Sequence, residues 1–158
     1  MNKLILDACC GSRMFWFDKN NPFVLFQDIR ELETELCDGR KLEVKPDVIG
    51  DFTDMKYADN TFKITVFDPP QIKGAGKNSF MALKYGSLDE NWRPLIKKGF
   101  DECMRVTDLY GVVIFKWNET SIPLSEILKV IDCQPLFGHT SGRQSKTIWL
   151  CFMKLKSL

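Results

Sequence analysis

The sequence predicts an α/β fold, with a mainly parallel seven-stranded sheet and one antiparallel strand near the C-terminus. Three observations carry this. Short apolar runs at residues 4–6, 23–26, 47–50, 62–67 and 111–117 are interleaved with stretches of helical spacing, the pattern of parallel strands joined by crossovers. Two further runs, 134–138 and 147–154, follow with only a polar loop (139–146) between them, which predicts a terminal hairpin. Acidic or glycine-containing turns close the early strands, at Asp7, Asp28, Asp51 and Asp68.

Between these strands, residues 10–19 predict a short helix with Met14, Phe15 and Phe17 on or near its inner face. Residues 88–106 predict a long helix, because Leu95, Phe100, Cys103 and Met104 recur at near-helical spacing. Residues 123–131 predict another, with a proline in its first turn and Ile127, Leu128 and Ile131 on one face. The stretch 71–87 holds three glycines and several lysines, and reads as a mobile loop.

One domain spanning 1–158 is expected, long enough to bury a real core. No apolar run approaches the eighteen or so residues of a membrane span, and the first apolar stretch is too short for a signal peptide. The six cysteines lack CxxC pairing, so they read as free thiols in a reducing, cytoplasmic setting rather than a disulfide frame or metal site. Residues 1–70 carry 9 Lys/Arg against 13 Asp/Glu, and residues 71–158 carry 13 against 8. The basic excess begins directly after Asp68-Pro69-Pro70, which suits an acidic partner approaching that side; uneven surface charge is the alternative.

Two strand ends concentrate the chemistry. The first closes with Asp7-Ala8-Cys9-Cys10-Gly11-Ser12-Arg13, where free backbone N–H groups and a glycine permit close approach to a ligand. Asp28, 17 residues beyond Gly11, ends the second strand, where a carboxylate can accept from both ribose hydroxyls. Its alternative role is the N-cap of a helix over 31–36. Asp51-Phe52 follows the third strand, with a turn cap as the alternative for Asp51. The fourth strand ends in Asp68-Pro69-Pro70-Gln71. Each proline fixes its own φ and extends the residue before it, so a carboxylate and a proline carbonyl project together as acceptors for a planar amine. This is the layout of a nucleotide-type cofactor facing a polar acceptor.

At these residues the chain resembles the class I S-adenosylmethionine (SAM) dependent methyltransferases, and among them the amino-methyltransferases with an Asp-Pro-Pro-aromatic motif. It is also similar to small methyltransferase-like proteins of phages and prophages, which share the runs DACCGSRMFWFDK, FDPP and FKWNE. The resemblance implies a Rossmann-like fold with strand order 3-2-1-4-5-7-6 and SAM as cofactor. It implies SAM contacts at Asp7, Ala8, Cys9, Gly11, Ser12, Arg13, Asp28, Ile29, Asp51, Phe52 and Asp68. Of the family's three turn glycines, the aligned positions Cys9, Gly11 and Arg13 keep only the middle one. It further implies methyl transfer to adenine N6 or cytosine N4, with DNA favoured over RNA and Asp68, Pro69, Pro70 and Gln71 catalytic.

Gln71 stands where the family's aromatic stacks on the base. Phe15, Trp16, Tyr85 and Trp92 are alternative platforms, and Phe80 and Tyr85 in the 71–87 stretch are the preferred ones. Lys73, Tyr85, Lys116 and Trp117 are expected to meet substrate. A lysine inside the apolar run 111–117 wants a partner, and Asp68 is the expected one. That pair also matches two members of the Lys-Asp-Lys-Glu set of heat-shock-type ribose 2′-O-methyltransferases. An NAD site, and a SAM-binding module without catalysis, are further alternatives. The gaps between motifs leave no room for a DNA target-recognition domain, so a partner protein could select the target.

Overall fold

The computed structural model describes residues 3–76 and 79–156. Seven strands form the main sheet: β1 (Ile5–Asp7), β2 (Val24–Asp28), β5 (Val48–Ile49), β6 (Phe62–Phe67), β7 (Thr107–Asn118), β8 (Phe137–Thr140) and β9 (Thr147–Met153). Their order is β5-β2-β1-β6-β7-β9-β8. Numbered among themselves, these strands read 3-2-1-4-5-7-6, the expected order. Pairing is parallel from β5 to β7, and β9 runs antiparallel to both β7 and β8.

Strand alternation sorts the side chains of this sheet. Leu6, Thr65, Phe67, Val113, Phe115, Trp117, Leu150 and Phe152 share one face through the register Leu6↔Thr65↔Val113↔Phe152 and Phe67↔Phe115↔Leu150. On this face lie α2 (Trp92–Val106) and α3 (Leu124–Ile131), which bring in Ile96, Phe100, Cys103, Ile127 and Ile131. Phe100 meets Phe152 edge to face at 4.9 Å, and Phe67 stacks with Phe115 at 5.3 Å. Each fully buried aromatic or aliphatic here contributes about 1.5–3 kcal/mol. A Cβ at Gly99 would sit 2.5 Å from the Phe52 ring, so α2 can approach the sheet only with glycine there. On the opposite face, Trp16 packs against Cys10, Val24 and Phe26.

Several expected elements differ. Residues 10–19 form consecutive turns, not a helix. Gly11 (φ 49°) and Arg13 (φ 54°) are left-handed, which a right-handed helix cannot contain. Side-chain bonds replace the helical ladder: the Trp16 indole donates to Asp7, and the Arg13 guanidinium stacks on Phe26 at 3.9 Å. The helix expected from residue 88 begins at Trp92, because Leu88 bridges to Lys73 and Asp89 turns the chain by accepting from the Asn91 N–H at 2.9 Å.

Residues 31–36 are no helix either. β3 (Leu32–Glu35) pairs with β4 (Lys41–Val44) in a separate hairpin, turning at Gly39 (φ 80°) and burying Leu36, Leu42 and Val44. The expected 71–87 loop holds a helix, α1 (Phe80–Tyr85), capped by the Ser79 hydroxyl, which accepts from the Ala82 N–H. Lys77 and Asn78 of that stretch lie outside the described residues. The terminal hairpin is shifted, since β8 begins at Phe137 and not near 134. Among the described residues no helix is long and apolar enough to cross a membrane. The cysteines are free, with Cys10, Cys103 and Cys151 buried and Cys37 exposed.

Candidate functional site

The carboxyl ends of β1, β2, β6 and β7 open into one cavity of about 440 Å³, within the roughly 300–1,000 Å³ of small-molecule sites. This is where an open α/β sheet binds ligands, at the point where strand order reverses between β1 and β6.

One side is built by the β1 turn and the end of β2. Cys9, Gly11, Ser12, Asp28, Ile29 and Phe52 line it. The Gly11 N–H donates to Asp28 Oδ2 at 2.8 Å, while Asp28 Oδ1 accepts from the Arg30 N–H at 2.9 Å and from Arg30 Nε at 3.2 Å. Arg30 Nη1 in turn donates to the Leu83 carbonyl at 3.0 Å, tying α1 to β2. Asp7 lies beneath, fully buried. Its Oδ2 accepts from Trp16 Nε1 at 2.7 Å. Burial pushes its carboxyl up to about 7; the Trp16 bond opposes the rise, and the nearby Asp68 and Asp28 charges add to it.

The other side is built by the ends of β6 and β7. Asp68, Pro69, Pro70, Gln71 and Lys116 line it. Lys116 Nζ stands 2.6 Å from Asp68 Oδ2, a partner for a partly buried lysine. Gln71 Nε2 donates to Asp68 Oδ1 at 2.6 Å and to the Lys116 carbonyl at 3.0 Å. Burial pushes the Asp68 carboxyl above its ordinary range, and Lys116 and Gln71 limit the rise. Gly86 lies against Pro70, where an added Cβ would come within 2.8 Å of the ring; this packs the end of α1 onto the motif.

Not every expected residue reaches the cavity. Arg13 turns away, with Nη1 and Nη2 donating to the Lys19 and Lys45 carbonyls at 2.6 and 2.7 Å. Asp51 is exposed and caps its own turn, accepting from the Thr53 N–H and hydroxyl at 2.8 Å each. Ala8 is buried in the core at the turn that follows β1. Lys73 pairs with Glu90 at 2.6 Å. Trp117 is fully buried on the helix-covered face, its indole donating to the Ile122 carbonyl at 2.9 Å; strand alternation puts it opposite Lys116.

Among the aromatic candidates, Phe15 and Tyr85 line the cavity. Phe80 packs against the β3–β4 hairpin, Trp92 is in the core, and Trp16 faces Asp7 and Phe26. Sequence reading missed Arg30, Met81, Lys84, Asn118 and Thr147, all lining residues. Asn118 follows Lys116 by two along β7, so alternation alone was enough to find it. Its Nδ2 donates to Thr147 Oγ1 at 3.0 Å.

Against known proteins, no family model matches the chain, and no curated protein matches it. Solved structures do match. One is the crystal structure of PH0226 protein from Pyrococcus horikoshii OT3, with a TM-score of 0.62 and 13% identity, covering 96% of this chain and 81% of that one. At that identity the likeness shows a shared fold.

Proposed function

We propose that this chain is a class I SAM-dependent methyltransferase of the small phage and prophage type, transferring a methyl group to an exocyclic amine of a nucleobase. The observation that carries the reading is the meeting of Asp68-Pro69-Pro70 with the Gly11 turn and Asp28 across one cavity. The cavity side fits the cofactor chemically. Asp28 is placed to meet ribose hydroxyls, Ile29 and Phe52 offer apolar walls for an adenine, and Gly11 leaves room at the turn. Asp7 favours a cationic ligand, since its two donors, Trp16 Nε1 at 2.7 Å and the Cys9 N–H at 3.4 Å, are both uncharged.

SAM bound there would supply a methyl group on a positively charged sulfur. The protein's part is then to hold the acceptor. Asp68 and a carbonyl of the Pro-Pro pair would accept hydrogen bonds from the two amine N–H groups and aim the nitrogen lone pair across the cavity. The transfer forms an N–C bond as the methyl–sulfur bond breaks onto sulfur, and the nitrogen afterwards releases a proton to Asp68 or water. Positioning and partial desolvation account for most of the rate. The basic excess after residue 70 suits a nucleic-acid partner, with DNA favoured.

The 2.6 Å contact between Lys116 and Asp68 favours one second reading, transfer to a ribose 2′-hydroxyl with Lys116 assisting its deprotonation. Incubation with tritiated SAM and separate DNA, RNA and small-molecule pools, followed by nucleoside mass spectrometry, decides between them. N-methylated bases support the first reading and 2′-O-methylated nucleosides the second. SAM binding by calorimetry without any transfer would reduce the chain to a binding module.

A further inference from the structure

The position that carries a stacking aromatic in the Asp-Pro-Pro-aromatic motif is Gln71 here, and its amide is committed elsewhere. It clamps Asp68 Oδ1 and the Lys116 carbonyl, at 2.6 and 3.0 Å. A base held at Asp68 therefore needs another face to lie on. We infer that Phe15, braced by Trp149, is that face, and that the acceptor subsite takes a nucleobase against Phe15, beside the Asp68–Lys116 pair.

This rests on the amine-transfer reading and adds the residue that recognises the base. Phe15 lines the cavity and is only partly buried. Its ring centroid is 5.4 Å from Lys116 Nζ, which is itself 2.6 Å from Asp68. The ring thus stands beside the acceptor motif. Trp149 meets Phe15 edge to face at 5.3 Å and 84°, and Trp149 Nε1 donates to Ser141 Oγ at 2.9 Å, which fixes the brace. Trp149 pairs in register with Lys116 across β7 and β9, so the brace and the lysine are set by the same pair of strands. Asn118 and Thr147 lie one alternation further along the same face and line the same cavity, offering amide and hydroxyl groups to a base edge. Two residues beyond Phe15, Phe17 is fully exposed, an apolar side chain that packs nothing in this fold.

The experiment measures binding of single-stranded oligonucleotides in the presence of S-adenosylhomocysteine, by calorimetry. The probes are a short DNA with one central adenine or cytosine, the same DNA with an abasic centre, and the RNA counterparts. The wild-type protein should prefer the base-bearing probe. Phe15→Leu should lose roughly 5- to 150-fold of that preference, the range set by base–aromatic stacking. Phe15→Tyr should restore it, which a merely structural role of the ring at this position does not predict for the base-bearing probe alone. Affinity for the abasic probe should stay within about twofold throughout. Tyr85→Leu serves as the rival, because Tyr85 also lines the cavity. Loss of preference in Tyr85→Leu with Phe15→Leu unaffected overturns the inference. Equal binding of base-bearing and abasic probes by a wild-type protein that binds S-adenosylhomocysteine overturns it as well. Preference for the base without any S-adenosylhomocysteine binding overturns the cofactor reading and leaves the platform standing. Whether the DNA or RNA probe binds more tightly identifies the source of the base.

Discussion

The two sides of the cavity treat their carboxylates differently. On the β6–β7 side, Asp68 already has a cation, Lys116, at 2.6 Å. On the β1–β2 side, Asp7 has only uncharged donors, the Trp16 indole and the Cys9 N–H, and its carboxyl is pushed up to about 7. Asp68 is paired with a cation, whereas Asp7 is not, the Arg30 guanidinium on its side being held by Asp28. On the proposed reading the cationic ligand lies on the β1–β2 side, near Asp7, and the neutral, hydrogen-bonding acceptor on the β6–β7 side, at Asp68.

The largest expected effect tests this division from the acceptor side. Asp68→Ala should lower kcat by about 10³-fold, as when an active site loses a hydrogen-bonding group aimed at the reacting atom. SAM affinity should barely move. A parallel fall in SAM affinity, read by calorimetry, would merge the two sides into one.

Next in size is a pH effect on the cofactor side. Asp7 has a folded-state value of about 7 against an ordinary 3.8, so folding favours its protonated form. That contribution is fully present below about pH 4 and is lost as pH rises through 7. Over that window it amounts to at most on the order of 4 kcal/mol. Asp7→Asn should remove this slope from the denaturation midpoint measured between pH 4 and 8. Ionised Asp7 attracts a cation, so SAM should bind more tightly as pH rises through 7, with uptake of SAM releasing a proton. Affinity independent of pH there would contradict the assignment.

Asp28→Ala should weaken SAM binding by about 1–3 kcal/mol. Part of this arises indirectly, because Asp28 also holds the Gly11 N–H and Arg30. Lys116→Met gives the smallest effect under amine transfer: a severalfold rise in KM, shrinking as salt rises because a phosphate contact is screened. A collapse of kcat in that variant instead moves the reaction to a ribose hydroxyl.

What the sequence revealed, and what it hid, follows from the range of the forces involved. The strands were legible because short apolar runs with acidic ends report burial directly; their order followed from the resemblance. Asp68, Gln71, Gly11 and Asp28 were legible because they sit where strands stop. Trp117 was placed in the site by neighbourhood to Lys116, although a period of two assigns adjacent residues to opposite faces. The helix expected at 10–19 was lost to long-range bonds, from Trp16 to Asp7 and from Arg13 to Lys45, that no local pattern announces. The β3–β4 hairpin did announce itself, in the alternation of Leu32, Thr34 and Leu36 against Leu42 and Val44.

β9 lies between β7 and β8 although it follows both in the chain. β8 therefore has no sheet neighbour until β9 arrives, and Trp149 and Thr147 arrive with it. A nascent chain emerging from the ribosome can pair β1, β2, β5, β6 and β7 while synthesis continues. It cannot brace Phe15 or close the Asn118 end of the cavity until residue 153 has cleared the exit. Completion of the cavity is thus coupled to the synthesis of β9, and a fragment lacking β9 would be a sheet with its β1–β2 side formed and its β6–β7 side open.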